Sequence, residues 1–259
     1  MKPANSIYIA GNPGTGKTIG VAKIITDLGL KACVVDFENK FHKTIRAHFP
    51  EKADSFELYL GYVKRETSST EIKKTSNGKM NKSSTEGIGF KNTPDWEKSY
   101  DYLIEIVEML IDRTDYDVLI FDGASQTLRN DLGVAKWKLD NPGRDQPLQK
   151  EWAPMNDIEA MFLNGGKDWA DEYDKLFIVT GQMKEDFKKD VKVGETPALT
   201  MKLQHKMDVS LMLEKTFEEK KPVYVCTCLD SVIGQWKETL TMDRHLLDIL
   251  VEKELIGYD

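Results

Sequence analysis

The sequence predicts an α/β protein of three layers, in which a mostly parallel β-sheet is covered by helices on both faces. Short, continuous apolar runs such as residues 118–121 (VLIF) and 176–179 (LFIV) alternate along the chain with longer amphipathic stretches. Such runs are typical of strands buried on both faces of a sheet, because parallel connections place helices on each side. The first run, residues 6–10, leads through a glycine-rich turn into an amphipathic stretch, which indicates a strand followed by a helix.

The first half of the chain supplies most of the predicted elements. We expect strands at residues 6–10, 32–35, 56–62 and 118–121, and helices at residues 17–28, 41–49 and 96–113. Gly29 and Pro50 stop the first two helices, because glycine favours a left-handed helix end and proline interrupts helical hydrogen bonding. The third helix places Tyr100, Leu103 and Val107 on one face.

The second half is expected to complete the sheet with antiparallel additions near the C-terminus. The predicted elements are strands at residues 176–179, 209–213, 223–229 and 238–242, and a closing helix at residues 246–255. A polar stretch, residues 184–206, carries six lysines against four acidic residues, and a solvated hairpin is the alternative to a functional loop there.

A second polar stretch interrupts the scheme earlier in the chain. Residues 64–94 are rich in Lys, Ser and Thr, and we interpret them as an insertion in a single domain that spans residues 1–259. The pair Asn77-Gly78 fits the turn of a long hairpin, and a solvated tether is the alternative.

Composition limits the classes of function. A hydrophobic share of 40% is enough for a substantial core, and the formal charge of −7 argues against a uniformly basic nucleic-acid-binding surface. Residues 64–91 nevertheless carry seven basic residues against three acidic ones. No run approaches the ~18 apolar residues of a membrane helix, and no signal peptide precedes the first strand, so we expect a cytoplasmic protein without a membrane partner. Cys33, Cys226 and Cys228 fall in apolar runs and are expected to be buried strand thiols.

A glycine-rich motif follows the first predicted strand directly and matches the phosphate-binding pattern G-x-x-x-x-G-K-[ST]. The motif comprises Gly11, Asn12, Pro13, Gly14, Thr15, Gly16, Lys17 and Thr18. Its glycines let the backbone curl so that successive N–H groups face one anion at the start of the next helix. We expect Lys17 to reach the β- and γ-phosphates and the Thr18 hydroxyl to bind Mg²⁺. The motif therefore predicts a nucleoside triphosphate as the ligand.

Acidic residues follow two other predicted strands. Asp122 comes directly after the apolar run 118–121, which is the place of the Walker B carboxylate that acts near Mg²⁺. Asp36 and Glu38 follow the run 32–35. Because parallel strands present their carboxyl ends at one edge of a sheet, we expect these carboxylates beside the phosphate-binding loop.

In the type and order of these motifs the chain resembles the RecA-like P-loop ATPases, over roughly residues 6–45 and 115–215. It looks closest to the small phage and archaeal-virus members of the single-strand-annealing type, which residues 151–157 also resemble. The resemblance implies the P-loop NTPase fold, ATP as the nucleotide and ATP hydrolysis. It implies a catalytic role for Lys17, for Glu38 as the residue that activates water, and for Gln182 as a sensor of the γ-phosphate. The family usually carries Ser directly after the Walker B Asp, whereas this chain has Gly123, with Ser125 two positions further on.

The resemblance also implies partners. Single-stranded DNA would lie along the lysines of the 183–206 loop, with residues 64–91 as a second basic surface. Candidates for stacking on bases, each weighed against simple packing on the protein, are Phe187, Phe90 and Trp137. A homo-oligomer is expected, in which a cation from a neighbouring subunit reaches the γ-phosphate; the candidates are Lys202, Lys206, Arg129 and Arg144.

Two other classes of protein stay open as alternatives. A small-molecule kinase needs an arginine-rich lid, and the arginines here are few and dispersed. A motor or switch ATPase with a protein partner, of the packaging or partitioning type, agrees with the acidic remainder of the chain. The sequence favours an ATP-binding and ATP-hydrolysing protein that acts on single-stranded DNA in recombination, annealing or replication.

Overall fold

The computed structural model describes residues 4–64, 94–144, 146–188, 191–199, 201–219, 221–231, 233–241 and 244–256. A large sheet of eight strands, in the spatial order β12-β11-β10-β1-β7-β6-β2-β3, forms its centre. In chain order these strands are β1 (Ser6–Gly11), β2 (Ala32–Asp36), β3 (Phe56–Leu60), β6 (Val118–Asp122), β7 (Leu176–Gly181), β10 (Val209–Glu218), β11 (Lys221–Ser231) and β12 (Trp236–Leu240). Two small two-stranded sheets pair β4 (Val63–Lys64) with β5 (Pro94–Asp95), and β8 (Met183–Lys188) with β9 (Val191–Pro197).

Helices connect the strands. The α-helices of the described residues are α1 (Lys17–Asp27), α2 (Phe41–His48), α3 (Trp96–Ile111), α4 (Ala124–Gln126), α5 (Val134–Asp140), α6 (Ala153–Tyr173), α7 (Met201–Gln204) and α8 (Leu246–Glu252). Short 3₁₀ helices cover Pro50–Ser55 and Gln149–Glu151, and a π-helical segment, Thr127–Gly133, joins α4 to α5. Among the described residues, no helix combines the length and the apolar character that crossing a bilayer requires.

Most of the sheet is parallel, and each of its two faces packs into a different hydrophobic cluster. All pairings from β10 across to β3 are parallel, whereas β11 and β12 add to β10 antiparallel. Along β1, Ile7 and Ile9 enter the cluster that contains residues of α1, α2 and α8. Tyr8 and Ala10 enter the cluster that contains residues of α3 and α6. This alternation is the consequence of a strand placing successive side chains on opposite faces, and it puts helices on both faces of the sheet.

The prediction of an α/β protein with a mostly parallel sheet and antiparallel C-terminal additions is confirmed. Every predicted strand and helix is present, with ends that differ by a few residues. The largest difference is in β10, which continues to Glu218 instead of ending at residue 213. The three cysteines are buried strand thiols, as expected.

Three parts of the structure differ from the sequence-based expectation or lie beyond it. The long helix α6 and the helical stretch from α4 to α5 were not predicted. The 183–206 segment is not an open loop but the β8–β9 hairpin followed by α7, which corresponds to the hairpin alternative. The predicted insertion, with Asn77-Gly78 and Phe90, lies outside the described residues apart from its ends.

The register of the parallel strands decides where the polar residues meet. Asp36 at the end of β2 is level with Asp122 at the end of β6, and Ala10 near the end of β1 is level with Gly181 at the end of β7. The segments that follow these four strands therefore emerge at the same edge of the sheet.

Candidate functional site

The loop between β1 and α1 curls around an open space. Gly14 and Gly16 have φ angles of +81° and +87°, and nothing lies within 4 Å of the position that a Cβ would take on either residue. A residue with a side chain would be strained in this left-handed conformation. Helix α1 begins immediately afterwards at Lys17, so its unpaired N–H groups and the positive end of its dipole point into the same space.

Lys17 lies across the mouth of this loop. Its Nζ donates to the carbonyl oxygens of Gly11, at 2.6 Å, and Asn12, at 3.2 Å. Burial lowers the pKa of Lys17, and the negative charges of Glu38 and Asp122 oppose that effect. The lysine is therefore held in a partly buried position where an anionic ligand would restore favourable electrostatics.

Asp122 ends β6 and lies beside the start of α1. Both of its carboxylate oxygens are 3.4 Å from Thr18 Oγ1, and its Oδ1 accepts a hydrogen bond of 2.6 Å from Thr180 Oγ1. The residue is 3% exposed, and burial raises its pKa to about 7, with Asp36 and Glu38 adding to the rise. A buried carboxylate of this kind gains stability when a cation is bound nearby.

Glu38 follows β2 and receives hydrogen bonds on both carboxylate oxygens. Gln182 Nε2 donates to its Oε1 and Lys40 Nζ to its Oε2, each at 2.8 Å. Burial raises the pKa of Glu38, but these two hydrogen bonds and the positive charges of Lys40 and Lys17 together outweigh that effect, so the pKa lies below its usual value. The Glu38 carboxylate is therefore ionised at neutral pH.

Asp36 fixes the turn that carries Glu38. It is 2% exposed, and its two carboxylate oxygens accept hydrogen bonds from the backbone N–H groups of Glu38, at 3.0 Å, and Phe41, at 2.8 Å. Phe41 is the first residue of helix α2, so the carboxylate also accepts from one of the N–H groups that have no partner within the helix. Asp36 thus positions Glu38 by holding the backbone of this turn.

Gly123 directly follows Asp122 and lies against the Glu38 side chain. Its φ is +79°, and a Cβ at this position would lie 2.6 Å from Glu38 Cγ. The departure from the RecA-like pattern therefore leaves room that the Glu38 side chain occupies. Ser125 is fully buried and lies beside Gly181 and the Tyr8 hydroxyl.

A cavity of about 710 Å³ joins these groups. One end is polar and contains residues 13–18 of the loop together with Glu38, Lys40, Asp122, Thr180 and Gln182. The other end is mostly apolar and is built by β10, β11, β12 and the start of α8; its residues are Leu213, Pro222, Tyr224, Leu240, Thr241, His245 and Leu246. The cavity therefore suits a ligand with an anionic end and a flat, largely apolar end.

The β8–β9 hairpin reaches back to the loop. Gln182 directly precedes the hairpin, and its carbonyl oxygen accepts a 2.9 Å hydrogen bond from the N–H of Ala198 at the hairpin's end. Asn12 Nδ2 donates to Glu195 Oε2 at 2.6 Å. The hairpin is thus hydrogen-bonded to Gln182, which lines the cavity, and to Asn12 at the start of the loop.

The candidates for a cation from a neighbouring subunit lie away from this cavity. None of Lys202, Lys206, Arg129 and Arg144 is among the described residues that line it. Arg144 forms a paired hydrogen bond with the Glu151 carboxylate, and Lys206 donates to Asn164. Among the described residues, the lysines that line the cavity are Lys17, Lys23 and Lys40.

Trp137 packs on the protein, which is the alternative that was weighed against stacking on bases. Trp137 is 6% exposed and packs beneath the Arg144 guanidinium, whose carbon lies 4.8 Å from the ring centre. The ring is therefore part of the protein interior. The side chain of Phe187 and all of Phe90 lie outside the described residues.

The motifs identified the polar end of the cavity but not all of its residues. Thr180, Lys40 and Tyr224 were not predicted to belong to the site. A threonine inside the otherwise apolar run LFIVTG was the available signal for Thr180, since a buried hydroxyl needs a partner. No signal in the sequence pointed to Tyr224, because β11 reaches the cavity only through the fold.

The few oxygen atoms available here suit Mg²⁺ better than they suit a metal that needs three or more protein ligands. Within the described part of the chain, no group of three or more His, Cys, Asp or Glu side chains is arranged to hold a metal. The Thr18 hydroxyl and the Asp122 carboxylate face each other at the mouth of the loop. Mg²⁺ typically binds one or two such oxygens and completes its shell with phosphate oxygens and water.

Comparison with protein-family models and with curated proteins assigns no family to the chain. The chain matches no protein-family model, and the curated proteins contain no significant match to it.

Proposed function

We propose that the protein binds ATP with Mg²⁺ in this cavity and hydrolyses it, as a RecA-like ATPase with the three-layer P-loop fold. The observation that carries the proposal is the convergence of four separate segments on one space. The loop 11–18, Glu38, Asp122 and Gln182 come from the ends of β1, β2, β6 and β7, and all line the same cavity except for the first residues of the loop. Chance motifs would not be expected to meet in this way.

The loop supplies the sites for the phosphates and the ion. Its N–H groups and Lys17 bind the phosphate oxygens, as in other loops of this pattern. Thr18 and Asp122 would hold Mg²⁺ beside these phosphates. When bound, Mg²⁺ neutralises charge that develops on the phosphates during transfer.

Glu38 and Gln182 have distinct roles in the proposed hydrolysis. Glu38 orients a water molecule and accepts its proton, for which an ionised carboxylate at the edge of the phosphate site is required. Gln182 holds the Glu38 carboxylate through the 2.8 Å hydrogen bond and lies at the start of the β8–β9 hairpin. A change at the γ-phosphate is thereby coupled to the position of the hairpin.

The apolar end of the cavity supports a nucleoside as the other half of the ligand. Tyr224 offers an aromatic face, and Pro222, Leu240 and Leu246 offer apolar contacts of the kind that hold a purine ring. The choice of ATP over GTP depends on the resemblance, since the sequence has no Asn-Lys-x-Asp motif to read guanine.

We also propose that single-stranded DNA is the effector and that the protein acts as a homo-oligomer. The hairpin and α7 follow Gln182 directly, and Lys184 and Lys202 on these elements are exposed. Because Lys184 neighbours Glu185 along β8, the two side chains point to opposite faces. Glu185 pairs across the hairpin with Glu195, which contacts the loop, so Lys184 is on the face turned away from the cavity. DNA bound through such lysines would lose affinity steeply as salt rises.

Steady-state ATP hydrolysis with and without single-stranded DNA tests the proposal, with Lys17→Ala as the blank. We expect hydrolysis that Lys17→Ala abolishes and that DNA stimulates several-fold. Hydrolysis indifferent to DNA would refute the DNA part and favour a protein partner. An absence of hydrolysis would refute the ATPase part.

A further inference from the structure

Lys40 occupies a position that neither the phosphate-binding motif nor the resemblance assigns. It follows Glu38 by two residues, and its Nζ donates to Glu38 Oε2 at 2.8 Å. With Gln182 on the other oxygen, both carboxylate oxygens of Glu38 have a hydrogen-bond partner within the chain. Each carboxylate oxygen has two lone pairs, so Glu38 can still accept a hydrogen bond from water, but the Lys40 ammonium partly neutralises its negative charge.

Of the two partners, Lys40 is the one that is readily exchanged. Its side chain is 64% exposed, whereas that of Glu38 is 24% exposed, and exposed ion pairs contribute little stability. Lys40 also lines the cavity together with Lys17, and the two ammonium groups are close enough to affect each other electrostatically. A phosphate group near them would offer Lys40 more negative charge than one carboxylate does.

We propose that Lys40 binds the terminal phosphate of the nucleotide from within the same chain and leaves Glu38 when it does so. The inference depends on the proposed function, because it assigns a residue to the γ-phosphate of that same site. It gives the γ-phosphate a cation that Lys202, Lys206, Arg129 and Arg144 do not supply within the chain. It also couples the presence of a γ-phosphate to the release of Glu38 Oε2, so that the carboxylate loses its ion pair and becomes a stronger acceptor for the attacking water when there is a phosphate to transfer.

The residues next to Lys40 are consistent with such an exchange. Lys40 directly precedes α2, whose first residue, Phe41, is buried and has its N–H bound by Asp36. The backbone is therefore anchored while the long, exposed side chain is free to turn from Glu38 toward the loop. The empty space beside Gly14 and Gly16 lies in the same cavity.

Binding affinities for two ligands that differ by the γ-phosphate test this inference without depending on turnover. We would titrate the full-length protein with ADP and with the non-hydrolysable analogue AMP-PNP, both with Mg²⁺. For Lys40→Ala we expect AMP-PNP binding about tenfold weaker and ADP binding within about twofold of the wild type. Lys43→Ala removes an exposed lysine on α2 that does not line the cavity, and is the matched control.

A second variant tests whether Lys40 binds the γ-phosphate or only forms an ion pair with Glu38. Glu38→Gln removes the competing carboxylate charge, so we expect it to strengthen AMP-PNP binding, and we expect Lys40→Ala in the same chain to abolish that gain. Equal effects of Lys40→Ala on both ligands, or none on either, would overturn the inference while the ATPase proposal stands. If the wild type binds neither ligand, the proposed function fails and the inference fails with it.

Discussion

Replacing Asp122 by Asn should change how the stability of the nucleotide-free protein depends on pH. Burial raises the pKa of Asp122 from 3.8 to about 7, so the folded protein retains a proton that the unfolded chain has lost. As far as Asp122 alone is concerned, stability is highest below pH 3.8, falls as the pH rises to about 7, and is constant above it. At about 1.4 kcal/mol for each pH unit, the whole loss is roughly 4 kcal/mol.

Urea unfolding followed by tryptophan fluorescence measures this effect, in EDTA and without nucleotide. Because the isoelectric point is about 5.3, where association is favoured, the useful range begins near pH 6. Between pH 6 and pH 8 the Asp122 carboxyl should destabilise the wild type by roughly 1 to 1.5 kcal/mol. Asp122→Asn should lack this loss and keep the hydrogen bond from Thr180, since an amide oxygen also accepts.

The control for Asp122→Asn is Asp101→Asn, which removes an exposed acidic residue on α3. The control should follow the wild type at both pH values. If the free energy of unfolding of Asp122→Asn falls with pH as much as that of the wild type, Asp122 is not the buried acid described here, and the electrostatic account of the cavity is wrong.

Three other changes test the roles assigned in and around the cavity. Glu38→Gln should bind ATP and hydrolyse it at least about tenfold more slowly, because the water loses its base; unchanged turnover would remove Glu38 from the mechanism. Gly123→Ala should destabilise the fold by at least ~1–2 kcal/mol through its left-handed backbone, and should slow hydrolysis by displacing Glu38; unaltered stability in urea would contradict the close packing. Reversing the charge of Lys184 or Lys202 to Glu should weaken binding of single-stranded DNA and lower its salt slope by about 1, unlike Lys43→Glu; an unchanged slope would place DNA elsewhere.

The sequence was a good guide to the sheet. The central strands are buried on both faces, so runs such as VLIF and LFIV contain no polar residue that could hide them. Helix α6 was missed for a physical reason, since Gly165 and Gly166 in its middle are poor helix formers. Gly166 packs against the ring of Phe177 on β7, so tertiary contact outweighs local propensity there.

The site was predictable where its residues lie close together along the chain. The loop that ends in Lys17 is one continuous motif, and Asp122 and Glu38 each follow an apolar run that marks the sheet edge. Lys40 and Tyr224 were not predictable, because their contribution depends on where the β2 turn and the C-terminal strands come to lie. A lysine two residues after Glu38 has no meaning until the hydrogen bond between them is known.

Binding of ATP with Mg²⁺ to the wild type and to Lys17→Ala, measured by isothermal titration calorimetry, tests the central claim most directly. The loop holds Lys17 by two carbonyl oxygens and presents it to the cavity, so the account predicts one ATP for each wild-type chain. It predicts at least about tenfold weaker binding to Lys17→Ala, since the loop would lose its cation. Equal affinity of the two proteins, or no binding by the wild type, would contradict the claim that this cavity is an ATP site.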